Sequence, residues 1–252
     1  MENPLKRIWH DGGTAHGGWL SLRDDFAASV MGDVGFDYLV VDMQHGLADY
    51  TMATRLIQAV GRSDSVPVAR VPWNDPAIVG RVLDAGALGI IVPMVNSAEE
   101  AAAAVRACRY APDGSRSWGP LLAARLHGVY EPAAANDAVL CIPMIETAAA
   151  VAAIDDILAV PGIDAIYVGP ADLSLTYGLA PAGDNDGPFV TALESIVDAC
   201  IRHAVVPGIH ADPMLAAKRR DQGFRMVTVS SDDQALAQGA AAMLRAGTVG
   251  DL

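Results

Sequence analysis

Apolar runs of about five to seven residues alternate along the chain with longer segments that mix alanine with charged residues. Eight runs read as strands: 15–20, 37–43, 67–71, 89–94, 140–146, 165–169, 206–210 and 226–230. They are apolar almost throughout rather than at every second position, the pattern of parallel strands covered on both faces. The segments between them read as helices, over 22–31, 50–60, 76–85, 98–109, 148–158, 189–204, 214–222 and 234–246. Several open on a capping residue, such as Ser97 before Glu99 and Glu100, Asp75 before Pro76 and Asp212 before Pro213,. Others close at glycine, at Gly32, Gly61, Gly86 and Gly223,. Eight strand–helix units in 252 residues predict an α/β protein, a (β/α)8 TIM barrel forming one domain over 1–252,. A doubly wound open sheet is the rival fold. It often carries a glycine-rich phosphate loop, and neither G-x-G-x-x-G nor G-x-x-x-x-G-K occurs here,. The proline-rich stretches 130–138 and 181–188 read as loops of the same domain,.

Composition narrows the function classes. The formal charge is -13, from 17 Lys plus Arg against 30 Asp plus Glu. A nucleic-acid partner is therefore not expected, since binding phosphates requires clustered cations. Mean hydropathy is +0.28, yet no run reaches the ~18 apolar residues of a membrane span. The longest candidate, 138–154, is interrupted by Pro143 and Glu146. No membrane association is expected, and the N-terminus has no apolar signal core, so a cytoplasmic protein is expected,. Cys108, Cys141 and Cys200 are odd in number and lack C-x-x-C spacing, and read as buried free thiols,.

The active site of a parallel barrel forms at the C-terminal ends of its strands. Those ends carry Trp19, Asp42 with His45, Arg70, Pro93, Glu146, Asp172, His210 and the segment 230–233. Glu146 and Asp172 follow successive strands, and two adjacent carboxylates call for a cation. Mg2+ or Mn2+ suits an all-oxygen pair better than zinc, and Co2+ is also compatible. The competing reading makes each a helix N-cap. His45, three residues after Asp42, reads as a general base held by a carboxylate,. Arg70 reads either as a cation for a developing oxyanion or as half of an ion pair with a neighbouring acid. Asp84 reads as a solvated helix position or a supporting partner of His45.

Absences exclude other chemistries. Only Lys6 and Lys218 are lysines, and neither lies at a strand end, so an imine mechanism has no nucleophile,. There is no G-x-S-x-G elbow for a nucleophilic serine,. Asp212, Asp232 and Asp233 occupy the turns where barrels bind phosphate, which disfavours phosphorylated substrates,. Metal, His and Arg together suit removal of a proton beside a carbonyl.

Six motifs in order, V-V-D-M-Q-H-G, V-A-R-V-P, L-D-A-G-A-L-G-I-I-V-P-M, R-Y-A-P-D-G-S-R, I-E-T and V-G-P-A-D-L-S, resemble the class II, metal-dependent pyruvate aldolases of the HpcH/HpaI family. The resemblance spans about residues 19–246. It implies reversible cleavage of 4-hydroxy-2-oxo acids to pyruvate and a small aldehyde through a pyruvate enolate. It places the metal on Glu146 and Asp172, the keto or enolate oxygen on Arg70, and proton transfer on His45 with Asp42 or Asp84 behind it. It further implies that backbone N–H groups near Gly169 and Ala171 receive the carboxylate, that Trp19 walls the pocket, and that the protein is a homo-hexamer with the helix 234–246 exchanged between subunits. The chain departs from the pattern at Met144, where many members have Gln, and at Gln44, where others have Glu. Both departures bear on aldehyde preference. A citrate-lyase-like or oxaloacetate-decarboxylating enzyme on the same scaffold, and a non-catalytic barrel binding small acids, are the alternative functions.

Overall fold

The computed structural model describes residues 2–248 and is a closed barrel of eight parallel strands in sequential order. The strands are β1 (Ala15–Leu20), β2 (Tyr38–Asp42), β3 (Val66–Arg70), β4 (Gly89–Val92), β5 (Leu140–Ile145), β6 (Ala165–Val168), β7 (Val206–His210) and β8 (Met226–Ser231). Helices α1 (Pro4–His10), α2 (Asp25–Gly32), α3 (Tyr50–Val60), α4 (Pro76–Asp84) and α5 (Ala98–Cys108) belong to the first half. The second half holds α6 (Ala123–His127), α7 (Pro132–Ala138), α8 (Ala148–Ala152), α9 (Ile154–Leu158), α10 (Pro170–Thr176), α11 (Pro188–His203), α12 (Ala216–Asp221) and α13 (Asp232–Gly247). No helix among the described residues is long and apolar enough to cross a membrane.

The twofold alternation of a strand explains its continuous apolar composition. In β2, Tyr38 and Val40 join the core inside the barrel, while Leu39 and Val41 join the larger core beneath the helices. Both sets are fully buried. Helix α1 closes the N-terminal end of the barrel. Leu5 is buried there, and the Asn3 side chain donates to the carbonyls of Leu88 and Ala138. At seven residues, α1 is too short for its period to show in the sequence.

Helix α7 replaces the expected loop over 130–138. Pro132 occupies its first turn, where a missing N–H costs nothing,. The expected helix 148–158 is two short ones, α8 and α9, meeting at Ala153. All three cysteines are buried free thiols.

Closure between β1 and β8 needs small residues. The register slips between Gly17 and Gly18, and a Cβ at Gly17 would strike the ring of Tyr38. Tyr38 fills the barrel, and its hydroxyl bonds Thr228 on β8 at 3.1 Å. Gly17→Ala is therefore expected to lower stability by about 1–3 kcal/mol through overpacking. A urea midpoint equal to that of the unsubstituted protein would contradict this packing.

Candidate active site

Register places the key pair. Asp42 ends β2 and Arg70 ends β3, directly opposite one another in the sheet. The guanidinium donates from Nε to Asp42 Oδ1 at 2.8 Å and from Nη2 to Oδ2 at 2.6 Å. Burial by itself would raise the Asp42 pKa. The hydrogen bonds and charge of Arg70, with the Gln44 N–H, overcome it and hold the carboxyl below its ordinary 3.8. The ion-pair reading of Arg70 is thus observed, and Nη1 keeps no protein partner among the described residues. Arg70 also lies over the ring of Trp19, 5.0 Å from its centroid,.

Asp42 does not orient the His45 ring. Its Oδ1 accepts the backbone N–H groups of Gln44 at 3.0 Å and His45 at 3.4 Å, so the carboxylate shapes the loop after β2. Asp84 is not behind His45 within the chain either. It ends α4, accepts from Arg116 Nη2 at 2.8 Å and borders a separate hollow. These positions correct the expectation that either acid touches the imidazole in one chain.

Glu146 lies just past β5 and is 1% exposed. It is not an N-cap; Thr147 caps α8 by accepting from the Ala150 N–H. Glu146 Oε1 accepts the N–H of Met94 at 2.7 Å. Met94 adopts the left-handed conformation with φ 56°, an unfavourable choice for its side chain that aims this N–H at the carboxylate,. Nothing in the sequence signalled it. Glu146 Oε2 lies against Gly169, where any Cβ would collide with it. Asp172 is the third residue of α10, and its carboxylate makes no capping bond. Burial, and then the charge of Asp172, raise the Glu146 pKa above its ordinary 4.5 despite the Met94 N–H and Arg70.

Glu146, Asp172, Arg70, Trp19 and His45 border one cavity of about 190 Å3, with Gly169 and Ala171 on its rim. The barrel brings all of these expected residues together and leaves out Asp42's carboxylate, which lies behind Arg70, and Asp84. Four further residues border the cavity: Met144, Tyr167, Pro170 and His210. Tyr167 and Tyr38 share the hydroxyl of Thr228 beneath Trp19. A hollow of about 760 Å3 beside Arg109 and Asp137 lies at the opposite end of the barrel, where Arg109 pairs with Asp164. Lys6 pairs with Asp164 and Lys218 with Asp184, both away from the cavity. Asp212 accepts the N–H groups of Met214 and Leu215, and Asp232 those of Ser21 and Leu22, so these acids hold backbone.

The donor set fits a hard divalent cation. Two carboxylates face one cavity, and the only Lys or Arg bordering it among the described residues, Arg70, is engaged by Asp42. No cluster of three or more His, Cys, Asp or Glu stands ready among the described residues. Mg2+ and Mn2+ commonly complete a two-carboxylate site with water and substrate oxygens.

Residues 16–239 match the profile described as HpcH/HpaI aldolase/citrate lyase. The chain belongs to that family. A hydroxypyruvate/pyruvate aldolase of Rhizorhabdus wittichii is 35% identical, over 91% of this chain and 92% of its own. A 4-hydroxy-2-oxo-heptane-1,7-dioate aldolase of Klebsiella pneumoniae is 36% identical over 96% and 93%. A crystal structure of an HpcH/HpaI aldolase/citrate lyase family protein from Burkholderia cenocepacia superposes with a TM-score of 0.86 at 33% identity, covering 96% of this chain and 98% of that one. As a member of the HpcH/HpaI family the chain is an aldolase-type enzyme, working at a carbon–carbon bond.

Proposed function

We propose that this enzyme reversibly cleaves 4-hydroxy-2-oxo acids to pyruvate and an aldehyde with the help of a divalent cation, Mg2+, Mn2+ or Co2+. The observation that carries the reading is the buried Glu146 beside Asp172, two carboxylates on one cavity without a cation of their own. The relatives named as pyruvate and 4-hydroxy-2-oxo-heptane-1,7-dioate aldolases support the substrate class.

Glu146 and Asp172 hold the cation, which when bound supplies Lewis-acid stabilisation of charge developing on substrate oxygen. Arg70, fixed by Asp42, presents Nη1 to the keto oxygen and strengthens as a partner when that oxygen becomes enolate,. Backbone N–H groups at Gly169 and Ala171 receive the carboxylate, and Trp19 walls the pocket. His45, exposed at the cavity rim, carries the proton removed from or returned to carbon,. Asp42 acts through Arg70 and the loop that bears His45.

The described barrel supports one domain over residues 1–252. Helix α13 supports packing against another copy, in a homo-hexamer: only Asp232 is buried along it, and Leu236, Met243 and Leu244 are 66%, 77% and 69% exposed.

Pyruvate in D2O tests the reaction without an aldehyde. Its methyl protons are expected to exchange with Mg2+ or Mn2+ present, to slow by about 100-fold or more in EDTA, and to recover on metal addition. Exchange that survives EDTA would overturn the metal-assisted mechanism.

A further inference from the structure

His210 ends β7 and borders the cavity; the charges of Asp42 and Asp212 act on it, but neither acid bonds its ring. Its ring meets Trp19 edge-on, with centroids 5.1 Å apart. Neither ring nitrogen has a hydrogen-bond partner among the described residues, and the half-buried ring keeps both nitrogens open to the cavity side. Burial first, and then the charge of Arg70, push its pKa down to about 4. The imidazole is therefore neutral at pH 7, with one N–H to donate and one nitrogen to accept. Of the other lining residues, Met144 and Trp19 offer no acceptor, and the Tyr167 hydroxyl is held by Thr228.

We propose that His210 is the residue that selects the aldehyde, favouring small uncharged 2-hydroxyaldehydes by hydrogen-bonding the hydroxyl next to the carbonyl. This rests on the aldolase reading and names the substrate class of the same site. An aldehyde with its own carboxylate is a poorer match. Among the described residues Arg70 is the one Lys or Arg bordering the cavity, Asp42 holds two of its nitrogens, and the reading above gives the third to the keto oxygen. A neutral imidazole, by contrast, pairs with a neutral hydroxyl without burying a charge. A wall group left unpaired by a substrate lacking the hydroxyl discriminates against that substrate.

The test compares glycolaldehyde with acetaldehyde as acceptors for pyruvate, in the metal-loaded enzyme and in His210→Leu and His210→Asn. The ratio of kcat/KM, glycolaldehyde over acetaldehyde, is expected to fall about tenfold or more in His210→Leu, and His210→Asn, which keeps a donor and an acceptor, to recover part of it. Thermal unfolding checks that each variant is folded. A ratio within twofold of the unsubstituted enzyme in a folded His210→Leu would overturn the role. Loss of methyl exchange from pyruvate alone in that variant would also overturn it, because His210 would then serve the enolate. An unsubstituted enzyme that exchanges no methyl protons with metal present removes the aldolase reading, and the inference falls with it.

Discussion

Glu146→Gln is expected to lower turnover by at least ~100-fold, the scale of a single electrostatic group in an active site. The metal-free protein is expected to be as stable as before or more so. The sign follows from the raised pKa. A carboxyl whose folded pKa lies above its unfolded value favours the fold while protonated, and this advantage is lost as pH rises from about 4.5 through the raised value,. At pH 7 the ionised Glu146 is thus a cost, set by burial and by Asp172. Glutamine keeps the shape and removes the charge. Mg2+ or Mn2+ is expected to raise the Tm of the unsubstituted protein and not of the variant, because binding to the folded state alone stabilises it. Turnover within tenfold, together with an intact metal-induced rise in Tm, would remove Glu146 from the metal site.

Arg70→Ala is expected to cost both activity and fold. Removing one partner of a buried pair leaves Asp42 charged and unpaired, which costs about 3–5 kcal/mol. Activity falls by ~10²–10³. Asp42 has a folded pKa below 3.8, so its contribution is present above that value and is lost as pH falls through the lowered one,. The stability gap between the two proteins is accordingly largest near neutrality and narrows in acid, where Asp42 protonates in both. Asp42→Asn on the Arg70→Ala background is expected to restore stability without restoring turnover, which separates the two roles. Urea unfolding at pH 7 and at a pH well below 3.8 measures the gap. A difference below ~1 kcal/mol at pH 7 would mean that the pair does not carry the stability assigned to it.

The strands were legible because burial on both faces writes them as unbroken apolar runs. The run 206–210 coincides with β7, and 140–146 overruns β5 by a single residue. Helices α1, α6, α7 and α10 have five to seven residues, too few turns for a 3.6-residue period to emerge,. The rim was legible for a similar reason: strand ends mark it, since Arg70 and His210 end strands, Glu146 directly follows one and Trp19 is one residue short of the end of β1. Pairing was not legible. That Asp42 meets Arg70 rather than the His45 ring depends on the β2–β3 register, and that Asp84 meets Arg116 depends on how the segment after α5 folds back on α4. Met94 left no trace, because a backbone N–H aimed by a left-handed turn belongs to no side-chain pattern.

The seam between β1 and β8 has a consequence during synthesis. Ala15 pairs with Met226, so at ~5–20 residues per second the β1 edge waits roughly 10–40 s for its neighbour,. An unpaired strand edge is a template for pairing with other nascent chains. Gly17, which lets Tyr38 fill the barrel, and Gly18, which lies against Leu39, leave the middle of β1 without side chains,. The strand that must wait longest for its neighbour thereby offers other chains little to grip.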